Sequence, residues 1–464
     1  MNTVNGRIAT LAMTIISVIV TLLLIDPHEI NLAVPSMISM VFVYHVVIKV
    51  FVLKDLKSVY FVIPLSLTWV YFCVPFLYSE PVEHAYRIIP AAYLLEMSIF
   101  SSLSVIALWL GYYYPLSNKV KAISSIHIQF NIVTLQKLFL SLVLIAIIQR
   151  FLEMYAHWTY SWLGQMAQVF EFSQEFAIVV GFLYIIRGGR SRLTILLFFS
   201  FFSFELFFRV SDTLFSKVFF LIISLLLTYF LQKKAIPWKM AILVFLVSLS
   251  LFDARKDYRY SHVVDRWYYG GSQDMTSRIN DGFDYIFTNF KFYDIDTINQ
   301  TLTTQGKNRM EQISFLGQVV HMVEIEDKGY KYGETLWFLP LSVVPRIIFP
   351  WKPKSDLASN LAKEYGVKQG DKGAANWPLL VEYYINFGFF SMIFFSFLQG
   401  IFTQWTLKKA AYGIGDINLL IAINLLWHII KVETSVVLTL GGFLQVLLSW
   451  WLITKVINHF KKNN

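Results

Sequence analysis

About twelve stretches of this chain are long and apolar enough to cross a bilayer, and that feature excludes most folds. They lie near 8–25, 31–53, 59–78, 89–115, 132–149, 172–187, 193–210, 214–231, 237–252, 378–406, 416–431 and 436–456. A hydrocarbon core about 30 Å thick takes roughly 20 apolar residues as a helix. Lipid offers no partner to backbone N–H and C=O groups, so each run must satisfy its own by coiling. The expectation is an all-α polytopic membrane protein with about 12 transmembrane helices. Composition agrees: of 464 residues, 56% are hydrophobic and 15% charged, against about 25% charged in soluble domains.

The distribution of charge orients these runs. Lys49, Lys54 and Lys57 follow the second, Lys119 and Lys121 the fourth, and Arg187, Arg190 and Arg192 the sixth. Lys233, Lys234 and Lys239 follow the eighth, Lys408 and Lys409 the tenth, and Lys455, Lys461 and Lys462 the twelfth. The alternate connections carry Asp26, Glu29, Glu80, Glu83 and Asp212 instead. Cytoplasmic loops collect Lys and Arg, so both termini are expected in the cytoplasm, and the net charge of +9 reads as topology rather than nucleic-acid binding. The first run has no small-residue cleavage site before Asp26 and reads as a retained helix. The single cysteine, Cys73, forms no intrachain disulfide, and no Cys/His spacing suggests zinc.

One connection differs in scale and divides the chain into 1–252, 253–377 and 378–464. Loops longer than about 15 residues are usually functional when ordered. Within it, Glu334 to Phe349 is apolar but carries Pro340 and Pro345, which a spanning helix tolerates poorly. It reads as an interfacial or re-entrant element. A second amphipathic stretch, Glu153–Gln174, carries Trp158 and Trp162, and tryptophan favours the headgroup level.

Several clusters could carry chemistry. VPRIIFPWKPKSD at 344–356 sets Arg346, Lys352 and Lys354 among three prolines. Arg offers a planar fork for phosphate and Lys a point charge, although residue type alone also fits cations snorkelling at headgroups. From Asn308 onward, Arg309, Gln312, Leu316 and Val319/Val320 follow helical spacing, with Glu311 at the start. Arg255, Arg259, Arg266 and Arg278 alternate with Asp253, Asp257, Asp265, Asp274 and Asp281, a pattern typical of surface ion pairs of little energetic worth. Glu382 enters the tenth run one turn past Pro378, with Asn386 at i+4 on the same face and Gly388 nearby. A carboxylate at the rim of a bundle is costly unless paired or used; Arg309 or Arg346 would serve as partner. Glu205 and Arg209 are spaced to pair at i+4, and Glu96, Lys217 and Glu433 are candidates to line a cavity. Asp294-Ile295-Asp296 matches the metal-nucleotide D-x-D, and Asp26 with Glu29 suggests an acidic metal site; both signals are too short to specify a chemistry, and no P-loop, G-x-S-x-G or H-E-x-x-H occurs.

Taken together, an Arg-led helix, Tyr-Gly-Glu-Thr at 332–335, VPR at 344–346, FPWKP at 349–353 and EYYINFG at 382–388 resemble the oligosaccharide repeat-unit polymerases, the O-antigen and capsule polymerase family. The resemblance covers roughly 253–400, with Phe349 a small departure. It implies a GT-C-like glycosyltransferase in the bacterial inner membrane with its active site on the periplasmic face. The donor would be a glycan on undecaprenyl diphosphate, and the acceptor the non-reducing end of a new lipid-linked repeat unit. It implies no cofactor or metal, a chain-length-regulating co-polymerase as partner, and membrane lipid around the helices. A diphosphate leaving group needs its growing charge stabilised, which Arg346, Lys352 and Arg309 are expected to do. The acceptor hydroxyl needs a base: Glu382, with Glu311 and His321 as substitutes and Asn386 orienting Glu382 or a sugar hydroxyl. Lys354, Arg278 and Arg255 would add cations to the substrate channel, and Trp351 and Trp377 flat faces for sugar rings. The same residues leave two rivals open: an O-antigen ligase, which would lean on His262 or His321, and a lipid-linked oligosaccharide flippase.

Overall fold

The computed structural model describes residues 30–52, 55, 58–77, 91–115, 129–156, 173–211, 215–233, 235, 288, 312–337, 339–342, 357–366, 377–410, 416–429, 431–444 and 446. The first and ninth apolar runs, most of 253–311 and all of 343–356 lie outside them. Among the described residues every regular element is helical and none is a strand. Three helical stretches, Ile30–Phe51, Ala92–Tyr113 and Ile132–Phe151, are long and apolar enough to span a bilayer; Val59–Phe72, Ser173–Ile186 and Asp416–Ile429 are apolar but shorter. The chain is an all-α membrane protein.

The helices follow the apolar runs closely: α1 (Ile30–Phe51), α2 (Val59–Phe72) with a 3₁₀ turn at Val74–Leu77, α3 (Ala91–Tyr113), α4 (Ile132–Ala156), α5 (Ser173–Ile186), α6 (Arg192–Ser211) and α7 (Phe215–Lys233). Helix α4 continues about two turns beyond the apolar residues that announce it. Beyond the long connection come α8 (Gln312–Val320), α9 (Leu357–Glu364), α10 (Leu379–Phe387), α11 (Phe389–Ala410), α12 (Asp416–Ile429) and α13 over 436–444.

The run 378–406, expected as one helix, is two. Gly388 takes φ 78° and its N–H bonds to Tyr384 O, ending α10 in a positive-φ conformation that glycine adopts without a Cβ clash. Nine residues at about 1.5 Å each rise under half the hydrocarbon thickness, so α10 does not span. The described part of the proline-bearing stretch is a turn at 332–337 and one helical turn at Leu339–Ser342.

Two apolar clusters organise the packing. The larger joins α1 to α7 with α11 and α12 through Val46, Phe61, Val105, Phe139, Ile178, Leu221 and Leu425. The smaller lies at one end of the bundle, where Leu32, Phe72 and Met97 meet Leu316 and Val320 of α8, Leu361 of α9, Tyr384 of α10 and Val436. Helices α3 and α11 approach until backbones touch: a Cβ on Gly111 would lie 2.1 Å from Phe397 O, and one on Gly400 2.3 Å from Leu108 O. Small residues permit such close approach between helices in lipid, where apolar burial itself drives little association.

Charge is buried in pairs. Arg150 of α4 grips Glu205 of α6 with both arms, Nε–Oε1 3.1 Å and Nη2–Oε2 2.8 Å. Arg209 reaches Glu205 at 3.4 Å and Glu175 of α5 at 2.8 Å. The i+4 pair expected from spacing is thus part of a four-charge knot joining three helices, and Arg209 also donates to Lys217 O on α7. At the opposite end of these helices, Arg187 holds Asp416 at 2.5 and 2.8 Å. Glu96 is exposed on α3.

Candidate functional site

The smaller cluster carries the residues that the sequence singles out. Pro378 precedes α10 with φ −63°, and Leu379 N–H bonds Val432 O at 3.1 Å, tying the start of α10 to the loop before α13. Glu382, in the first turn, has no exposed surface. Its Oε2 accepts the Val436 N–H at 2.7 Å, at the start of α13, where a helix offers unsatisfied N–H groups and a partial positive charge. Its Oε1 has no hydrogen-bond partner of normal geometry among the described residues. Burial pushes the carboxyl well above the ordinary glutamate range; the Val436 N–H and the nearby Thr335 hydroxyl oppose the shift only in part. The residue therefore holds its proton easily and, once ionised, is a strong acceptor in a dry setting.

Asn386 is fully used. Its Nδ2 donates to Thr335 Oγ1 at 2.8 Å and to Glu382 O at 2.7 Å, and its Oδ1 accepts Gly333 N–H at 2.9 Å. It reaches Glu382 through the backbone carbonyl and also holds the neighbouring Thr335. Lys331 and Tyr332 N–H groups cap Ile385 O and Asn386 O at 2.7 and 3.0 Å, closing the last carbonyls of α10. The Tyr-Gly-Glu-Thr turn is thereby pinned to the helix that carries Glu382.

Helix α8 runs as its spacing predicts, with Leu316, Val319 and Val320 fully buried, and then widens into a π turn, His321–Ile325. Such turns occur often at functional sites. Glu324 in this turn accepts the hydroxyls of Tyr330 and Tyr384, the latter at 2.8 Å. Burial and the Glu324 carboxylate push the Tyr330 phenol upward. His321 Nε2 lies 3.2 Å from Glu326 Oε1. The geometry brings Glu382, Asn386 and Thr335 together and keeps His321 in a separate pair.

Trp377 is corrected outright. Expected as a stacking face for sugars, it has no exposed surface and packs against Tyr365, centroids 5.9 Å apart. Arg346, Arg309, Lys352, Lys354, Arg278, Arg255, Glu311 and Trp351 lie outside the described residues. Sequence reasoning quoted Thr335 inside a motif without giving it a role, and missed Glu324 and Tyr384; the only signal was their place beside His321 and Glu382 in two motifs already marked. Among the described residues no three His, Cys, Asp or Glu side chains come together as metal ligands. Neither a protein-family model, nor a curated protein, nor a solved structure matches the chain.

Proposed function

We propose that this protein is a membrane glycosyltransferase that polymerises lipid-linked oligosaccharide repeat units. The observation that carries the reading is Glu382: a wholly buried carboxyl with one oxygen fixed on the Val436 N–H and the Thr335 hydroxyl nearby, beside the turn of the resembling motif. In this reading the acceptor hydroxyl gives its proton to Glu382 as its oxygen bonds to the anomeric carbon. The bond from that carbon to the diphosphate breaks, and undecaprenyl diphosphate leaves with the electron pair. Arg346, Arg309 and Lys352 receive the charge on the leaving group, as oriented cations do without proton transfer. The wider frame belongs to the same proposal: about twelve spans of GT-C-like architecture, cytoplasmic termini, a site on the periplasmic face of the inner membrane, no metal requirement, and a co-polymerase that sets chain length. The His321–Glu326 pair favours a second reading, ligation of the glycan to a lipid A-core acceptor.

The test is reconstitution in proteoliposomes with undecaprenyl-diphosphate-linked repeat units and EDTA. The expected product is a ladder on a gel, reduced about 10²- to 10⁴-fold in rate, the range for losing a general base, by Glu382→Gln and also lost with Arg346→Ala. Transfer only to a lipid A-core acceptor, abolished by His321→Ala, would establish the ligase. Movement of the repeat unit across the bilayer without new glycosidic bonds would replace both with a flippase.

A further inference from the structure

Tyr332 is held in a conformation that bulky residues avoid. Its φ is 46°, and Gly333 beside it is at 90°. A non-glycine residue in this region costs on the order of 1 kcal/mol or more, and the surrounding structure must enforce it. Here it does so: Tyr332 N–H is fixed on Asn386 O, Gly333 N–H on Asn386 Oδ1, and Glu334 N–H on Lys331 O. Glycine or asparagine would occupy the position with less strain. The side chain gains nothing from burial, since Tyr332 is 75% exposed. Strain is therefore spent on presenting an aromatic ring outward.

The ring has company. Phe387, the last residue of α10, is 46% exposed, and its ring lies edge-on to Tyr332 with centroids 6.5 Å apart. Tyr330 closes the third side at 6.2 Å. The rim is charged: Lys331 Nζ bonds Glu364 Oε1 at 2.7 Å and Glu334 Oε2 at 3.6 Å, and the Glu334 side chain is 67% exposed. Flat rings with polar acceptors at the edge suit a pyranose, whose C–H face meets the negative face of an aromatic ring while its hydroxyls donate to carboxylates. The charged Lys331 and Glu334 that flank Tyr332 in the chain do not suit the acyl region, because charge there is costly. The turn also shares its staple with the candidate base: the Asn386 carboxamide that holds Gly333 and Thr335 bonds the Glu382 carbonyl.

We propose that Tyr332 and Phe387 form a platform on which one pyranose ring of the glycan substrate stacks, at the end of the helix that carries Glu382. The proposal rests on the polymerase reading for its substrate class. It supplies the sugar contact that Trp377, being buried, does not.

Two measurements test it and separate its failure from that of the reaction. The first is saturation-transfer NMR on the detergent-solubilised full chain, using the repeat-unit oligosaccharide freed from its lipid by mild acid. Transfer to ring protons of one sugar is expected in wild type, lost in Tyr332→Ala and kept in Tyr332→Phe. The second is the ladder assay at varied lipid-linked substrate. Tyr332→Ala is expected to raise the half-saturating concentration about tenfold, equivalent to about 1.4 kcal/mol, with Tyr332→Phe restoring it and Tyr332→Gly, which relaxes the backbone, not restoring it. Transfer that survives Tyr332→Ala, or saturation restored by Tyr332→Gly, overturns the platform. Transfer lost in Tyr332→Ala without any ladder from wild type would keep the platform and discard polymerisation. Absence of transfer to wild type, with a normal ladder in Tyr332→Ala, would discard the platform alone.

Discussion

Glu382 has two oxygens in different circumstances, and the difference sets how the residue should respond to pH. Oε2 is engaged by a helix N-terminus, while Oε1 is buried without a partner of normal geometry among the described residues. Burial dominates, and the folded-state pKa lies above the ordinary value of 4.5. For an acid shifted upward, the folded protein binds the proton more tightly than the unfolded chain. The stability from this group is complete below the ordinary value and is lost as pH rises through the folded one. Thermal unfolding in detergent is therefore expected to show wild type losing stability over that window, with Glu382→Gln removing the dependence. The turnover of wild type should rise with pH over the same window, because the base is the deprotonated form. A stability profile identical in the two proteins would show that Glu382 is not the titrating group.

Among the elements, the α3–α11 crossing is the contact with least room. Helices whose backbones touch at Gly111 and Gly400 have no side chain to rearrange when a methyl is added. The atoms that a Cβ at Gly111 would meet are Phe397 O at 2.1 Å and Ile401 N at 3.0 Å, both backbone. Overpacking of this kind typically costs about 1–3 kcal/mol and sometimes more. Gly111→Ala is expected to lower the melting temperature measured by fluorescence-detected gel filtration by several degrees, and Gly111→Leu to abolish the monodisperse peak. The apolar runs announced α3 and the helical character of α11, though not its separation from α10, since period and length are local properties. The contact between them was not legible, because a glycine in an apolar run looks the same whether it faces lipid or another helix.

For the whole molecule, the described helices place two kinds of residue at opposite ends. Arg187 and Asp416 close one end, and Glu382 with the 331–335 turn lies at the other. Cys73 is the single cysteine and is fully buried, so the wild-type chain is a silent background for labelling. Under the positive-inside assignment, Glu334→Cys should react with a membrane-impermeant maleimide from outside right-side-out vesicles, and Arg190→Cys only after permeabilisation; both positions are exposed. Labelling of both from one side would refute the assignment.

Apolar length, the regular alternation of lysine and arginine, and the proline before α10 were decided by the sequence alone. They are properties of contiguous residues, and the absence of water in a bilayer turns them directly into helices. The i+4 spacing of Glu382 and Asn386 put both on one face, but what each touches was settled by segments far away: Val436 for the carboxylate, Thr335 and Gly333 for the amide. The same holds for Trp377, an interfacial anchor or sugar platform by residue type, which the packing of α9 and α10 buries against Tyr365. It holds for Glu205 too, whose i+4 partner was visible while its tighter grip from Arg150, 55 residues earlier, was not. Hydrogen bonds and burial depend on which surfaces meet in space, and only the tertiary structure fixes that.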